Sequence, residues 1–161
     1  MKVLFLDIDG VLNHEKHYNW LHNTDEATPL QRVHPYTEFN PKSVKELNRI
    51  LDETDAKLVI SSSWRFDGIP LLTNIFKHVG IYHKIYDITP SLANIYNTTL
   101  CRGKEIDKWL SEHPEVTRYA ILDDDTDMEE HQLQFFIKTD PYKDGLNSEV
   151  ADKVIKILNN I

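Results

Sequence analysis

Apolar runs divide the chain into short segments, and the spacing inside each run assigns it. Val3-Leu4-Phe5-Leu6 is continuous, the pattern of a strand buried on both faces of a sheet. Lys57 to Ile60, Lys84 to Ile88, Arg118 to Leu122 and Gln134 to Lys138 read as further strands. Between them apolar positions recur at helical spacing. Val44, Leu47, Ile50 and Leu51 follow an Asn40-Pro41 start, and Leu71, Leu72, Ile75, Phe76 and Val79 are stopped by Gly80. Ile106, Trp109 and Leu110 precede Pro114, and Val150, Val154, Ile157 and Leu158 follow Asn147-Ser148. Strands alternating with helices predict right-handed β-α-β units: an α/β, doubly wound, Rossmann-like fold, with a mainly parallel sheet of about five strands and helices on both faces. One domain over residues 1–161 is expected. Asn13 to Phe39 has no clear period and contains His14, His17, His22 and His34 with Tyr18, Trp20, Pro29 and Pro35. It is expected to form a flap over the end of the first strand.

Charge narrows the partners. Lys and Arg number 18 against 26 Asp and Glu, a net charge of −8. Such a chain repels a polyanion as a whole, so an extended duplex is not expected, although a nucleic-acid end or another phosphate can bind locally. Cys101 is the single cysteine, which rules out an intrachain disulfide and fits a reducing compartment. The N-terminal apolar run ends at Leu6, too short for a signal peptide or a membrane span. A cytoplasmic location is the expectation, with no membrane partner.

The strand ends carry the chemistry. The first strand runs into Asp7-Ile8-Asp9-Gly10, the second into Ser61-Ser62-Ser63-Trp64-Arg65, a helix begins near Lys104, and a later strand ends in Asp123-Asp124. In a parallel sheet these ends converge on one crevice. Several carboxylates and a phosphoryl group repel one another, so a divalent cation must stand between them, and carboxylate oxygens suit Mg²⁺. Asp7 and Asp9 lie two apart and point to the same side of an extended strand. One can attack phosphorus and form an aspartyl phosphate while the other handles the proton. Ser61 and Ser62 can hold phosphoryl oxygens, and Lys104 can neutralise charge. Arg65 and Arg102 lie near the crevice as candidates for substrate contacts beyond the phosphate. His14 and His17 lack the four-residue spacing of a zinc helix and read as flap or surface residues. Cys101 reads as a packed thiol, and Trp64 and Trp109 as core or pocket wall.

The order DxDGV, a strand ending in Ser, a Lys, and a strand ending in an acidic pair resembles the haloacid dehalogenase (HAD) superfamily of phosphohydrolases, from Val3 to about Ile157. The segments ISSSWR, RGKEIDKWL and ILDDD resemble the HAD domain of Swiss Army Knife RNA-repair proteins. The resemblance implies Asp7 as nucleophile and metal ligand, and Asp9 as acid/base with its backbone carbonyl on the metal. It implies Ser61 as the phosphate-binding hydroxyl, Lys104 as the stabilising base, and the acidic pair as the rest of a Mg²⁺ site. Asp124 is favoured as the direct ligand with Asp123 in support, and Asp123 paired with Asp127 is the other arrangement the family allows. Neither inter-motif gap is long enough for a cap domain, which leaves an open cleft suited to a phosphate on a large molecule. The expected activity is a phosphomonoester hydrolase acting on a nucleic-acid end or nucleotide. A small-metabolite phosphatase, a receiver-like module and a catalytically silent phosphate-binding module are the alternatives. Receivers phosphorylate an Asp that ends a middle strand and lack an acid two residues later, whereas Asp9 stands at that position here.

Overall fold

The computed structural model describes residues 1–27, 36, 38–92 and 101–161. Its core is a five-stranded sheet in which every pairing is parallel, in the order β3-β2-β1-β4-β5. The strands are β1 (Lys2–Leu6), β2 (Lys57–Ile60), β3 (Ile85–Ile88), β4 (Arg118–Asp123) and β5 (Phe136–Lys138). The continuous apolar run of β1 has the physical cause expected of it. The strand is central, paired on both edges, and Val3 to Leu6 are all 0% exposed.

Alternation along the strands sorts the helices. Leu4 and Leu6, with Leu58, Ile60, Ala120 and Leu122, pack against α2 (Pro41–Thr54), α3 (Ile69–Val79) and α5 (Ser148–Asn159). Val3 and Phe5, with Val59 and Ile121, pack against Ile106 and Trp109 of α4 (Arg102–Glu112). Trp109 meets Phe5 edge to face at 5.3 Å, which makes it core, as its spacing predicts. The helix starts are also as read from sequence. Asn40 Oδ1 accepts from Lys42 N at 2.8 Å with Pro41 in the first turn, and Asn147 Oδ1 accepts from Val150 N at 3.0 Å.

Two segments depart from expectation. The aperiodic stretch contains a helix, α1 (Glu15–Asn23), whose buried residue is Leu21. His14 caps it, its Nδ1 accepting from His17 N at 3.3 Å. Residues 28–35 and 37, with Pro29, His34 and Pro35 of the expected flap, lie outside the described residues. The strand expected from Gln134 begins only at Phe136, because Glu130–Phe135 form a 3₁₀ helix. Gln132 anchors that turn: its Oε1 accepts from Glu129 N at 3.0 Å and its Nε2 donates to Gly103 O at 2.8 Å. Among the described residues no helix is long and apolar enough to cross a membrane.

Candidate active site

Parallel register brings the strand ends together. Leu6 pairs with both Ile60 and Leu122, so the next residues, Asp7, Ser61 and Asp123, emerge side by side. Backbone bonds continue the ladder one step further, from Asp7 N to Leu122 O and from Ser61 N to Leu6 O, both 2.9 Å. Asp7 is 5% exposed, and Ser61 and Asp123 are 0% exposed. Asp7, Asp123 and the half-buried Asp124 offer oxygens that all lie within 4.8 Å of one another. Gly10 permits this approach: its φ is +72°, and a Cβ there would stand 2.5 Å from Asp124 Cγ.

Crowding shows in the electrostatics. Burial raises the pKa of Asp123 to about 7, with the Asp7 charge as the second cause. Asp124 is raised for the same two reasons. Burial also raises Asp7, while Arg102 and a hydrogen bond with Ser62 pull it back. Arg102 Nη1 lies 3.1 Å from Asp7 Oδ1 and 3.5 Å from Asp123 Oδ2, and donates to Ser61 O. Burial opposes its charge, but Asp123 and Asp7 outweigh this and raise its pKa. Asp123 Oδ2 and Ser61 Oγ are nevertheless buried with no hydrogen-bond partner. Three hard carboxylate donors with an orphaned oxygen fit a divalent cation of the Mg²⁺ class, and the orphaned Ser61 hydroxyl fits a phosphoryl oxygen beside it.

A pH dependence follows from Asp123. Because its pKa is raised to about 7 on folding, the folded state keeps this proton over a range in which the unfolded chain has released it. The stability it confers is present at low pH and lost as pH rises through about 7. The metal-free protein is therefore expected to melt at a lower temperature at about pH 8 than at about pH 5, with Mg²⁺ reversing the loss and Asp123→Asn reducing it. A melting temperature that climbs over that window in the parent would contradict this account.

Asp9 stands apart from the cluster and is exposed. Its carboxylate is held by Trp64 Nε1, 3.1 Å and 3.0 Å from the two oxygens, and by Asn13 Nδ2 at 2.7 Å. Trp64 is itself braced edge to face by Phe39 at 5.4 Å. Trp64 thus has a polar task beyond pocket wall: it positions an acid. Trp64→Phe keeps the ring contact with Phe39 and removes the N–H. If Asp9 handles a proton, the substitution is expected to lower kcat about tenfold, a part of the roughly 10²–10⁴-fold that a positioned proton-transfer group contributes, with little change in KM. An unchanged kcat would leave the indole a packing role only.

Three residues differ from their sequence-based expectation. Lys104 is exposed, and the cation paired with Asp7 is Arg102, one turn-start earlier on α4. Helix rotation decides between them. Gly103 faces the 128–132 segment so closely that a Cβ would stand 2.6 Å from Glu129 N, and Asp127 Oδ2 accepts from Arg102 N at 2.9 Å. Asp127 therefore holds the start of α4 and is not part of the carboxylate cluster. Arg65, expected as a surface substrate contact, is 4% exposed. It pairs with Glu105 at 2.7 Å and donates to Ser61 O at 3.3 Å and Ser62 O at 2.9 Å. It holds the serine backbone from beneath, with its charge spent on Glu105.

The remaining candidates have structural roles. His14 is buried at 6% exposure, with Asn40 Nδ2 2.7 Å from its Nε2, and burial lowers its pKa. Among the described residues neither His14 nor His17 belongs to a cluster able to hold a metal. Burial raises the Cys101 thiol, whose Sγ lies 3.5 Å from Glu129 Oε1, so it is a poor nucleophile.

No curated protein and no solved structure matches the chain. A family model described as "HAD domain in Swiss Army Knife RNA repair proteins" matches residues 3–151, which takes in the whole sheet but for Lys2 and the whole carboxylate cluster. By that match, which covers most of its length, the chain belongs to the HAD domain family of Swiss Army Knife RNA repair proteins.

Proposed function

We propose that the protein is a Mg²⁺-dependent phosphomonoesterase that works through an aspartyl phosphate on Asp7. HAD membership gives phosphohydrolase chemistry in general. The observation that supports the finer reading is the division between two acids at one strand end. Asp7 is buried beside Arg102, Ser62 and the orphaned Ser61 hydroxyl, while Asp9 is exposed and oriented by Trp64 and Asn13.

An Asp7 oxygen attacks phosphorus and the bond to the ester oxygen breaks. Asp9 gives its proton to the departing oxygen, then takes one from the water that attacks the aspartyl phosphate, which returns Asp7 as a carboxylate and releases phosphate. Ser61, Ser62 and Arg102 orient the phosphoryl oxygens and oppose their charge. Asp7, Asp123, Asp124 and the Asp9 backbone carbonyl would hold Mg²⁺, which supplies positive charge to the phosphoryl group when bound.

For the substrate, we favour a phosphate on a nucleic-acid end or nucleotide over a small metabolite. The family description speaks for RNA repair, and the net charge of −8 speaks against a long duplex lying on the surface. One cysteine fits a reducing, cytoplasmic setting. The test is phosphate release with and without Mg²⁺ from mononucleotides, 5′- and 3′-phosphorylated oligonucleotides and sugar phosphates. Metal-dependent release that favours the nucleotide substrates is expected. Release from sugar phosphates alone would make the protein a metabolic phosphatase. Release from none of them, with Mg²⁺ still bound, would overturn the enzymatic reading in favour of a phosphate-binding module.

A further inference from the structure

We propose that the cleft beside Asp124 is the leaving-group subsite and that it takes a nucleoside, whose base lies against Tyr18 and Tyr142. This rests on the phosphomonoesterase reading above and says what the hydrolysed phosphate is attached to. The cleft has a volume of about 570 Å³, and both Gly10 and Asp124 line it, so it opens directly from the carboxylate cluster. A larger cavity of about 650 Å³, between α1 and the start of α2, is lined by none of Asp7, Asp9, Asp123 or Asp124 among the described residues. Asp7 and Asp9 line neither cavity, but only the smaller one of the two adjoins the carboxylate cluster, so the alcohol that leaves phosphorus has the Asp124 cleft beside it.

Its walls are fixed and aromatic. Glu15 N donates to Pro141 O at 2.8 Å, Lys16 pairs with Asp144 at 2.7 Å, and Leu146 N donates to Val11 O at 2.9 Å. These contacts join α1 and the turn before it to the loop after β5. Tyr18 from the helix is 54% exposed and Tyr142 from the loop is 75% exposed, and both line the cleft. Neither ring belongs to the core; Tyr18 lies tilted against His22 at 4.4 Å, and both tyrosines keep exposed surface against which a flat ring can stack.

Charge selects among flat ligands. Glu15, Glu38 and Asp124 line the cleft, and no Lys or Arg does so among the described residues. A second phosphate or a carboxylate on the leaving group meets three carboxylates there against two imidazoles, His14 and His22. A neutral nucleobase offers a π face to the tyrosines and amino or ring N–H donors to the two glutamates. A sugar alone covers neither ring. Any further phosphates of an oligonucleotide must therefore lie outside the cleft, with the terminal nucleoside inside it.

The test compares kcat/KM for 3′- and 5′-nucleoside monophosphates with that for glycerol phosphate, in the parent and in Tyr18→Ala and Tyr142→Ala. The ratio is expected to fall about tenfold in each alanine variant, chiefly through KM, and to recover in Tyr18→Phe and Tyr142→Phe, because stacking needs the ring and not the hydroxyl. Nucleoside diphosphates are expected to be poorer substrates than monophosphates. A parent that hydrolyses both esters while the alanine variants keep the ratio would overturn the subsite and leave the phosphatase intact. Binding is read separately, by titrating a nucleoside monophosphate into Asp7→Asn with and without the tyrosine substitutions. A Kd weakened about tenfold by loss of either ring supports the subsite even if no ester is turned over, and an equal Kd in all the proteins overturns it.

Discussion

Asp7→Asn is expected to lower phosphate release by at least about 10⁴-fold, the scale seen when a nucleophile is removed from a constellation that acts as a unit. The same substitution is not expected to harm the fold. Asparagine keeps the volume and removes one negative charge from a group of three acids, two of them buried. Burial holds the Asp7 pKa above its ordinary value despite Arg102 and Ser62, so the folded state favours the neutral form. A neutral amide suits that preference at about pH 8, and the metal-free variant should melt at or above the parent there. Arg102 still faces Asp123 at 3.5 Å. Phosphate release and a thermal melt on one preparation check both halves. Turnover within tenfold of the parent would remove Asp7 from the nucleophile's place, and a much lower melting temperature would assign the loss to unfolding.

Arg102→Ala is the second large expected effect, a loss of about 10²- to 10³-fold in kcat, the scale for removing one donor to the developing charge. Lys104→Ala, at an exposed position on the same helix turn, should cost far less. The reverse ranking would restore the lysine to the site. Stability separates the two variants as well. Without Arg102, Asp7 and Asp123 lose the ion pair that the described residues supply, so the metal-free variant should be destabilised at about pH 8. The deficit should shrink toward about pH 5, because Asp123, with its pKa near 7, is then protonated and no longer needs a cation. Arg102→Lys should fall between: it keeps the charge, but a compact, strongly hydrated ammonium on a flexible stem replaces the planar guanidinium whose Nη1 makes all three contacts.

What could be read from the chain beforehand was whatever is encoded locally. Val3 to Leu6 declare a central strand because burial on both faces leaves no polar position, and the acids that follow can only stand at its carboxyl end. Asn40-Pro41 and Asn147 declare their helices through caps. Helix α1 gave no such signal. It buries Leu21, too little to make a stripe, and is held by His14 and by partners from the far end of the chain, Pro141 and Asp144. The choice between Arg102 and Lys104 was equally hidden. Both cations open the same helix, and the deciding contact is Gly103 against Glu129 and Gln132. The Asp127 carboxylate matched a metal-ligand spacing and turned out to hold a helix start, a distinction that depends on where α4 lies. Trp64 shows the limit from the other side, since an indole N–H aimed at an acid is indistinguishable in sequence from a buried ring.

The Arg65–Glu105 pair carries a consequence for how this chain can drift. Arg65 holds the carbonyls of Ser61 and Ser62, and Glu105 answers it at 2.7 Å while its other oxygen accepts from Leu92 N at 3.0 Å. Removing one member leaves a buried charge unanswered, at a cost of about 3–5 kcal/mol, whereas an apolar pair of similar volume can be neutral. Descendants of this chain can therefore keep both residues or exchange both, but a lineage that alters one alone passes through an intermediate whose Ser61-Ser62 backbone has lost its support. The two positions are expected to change together or not at all.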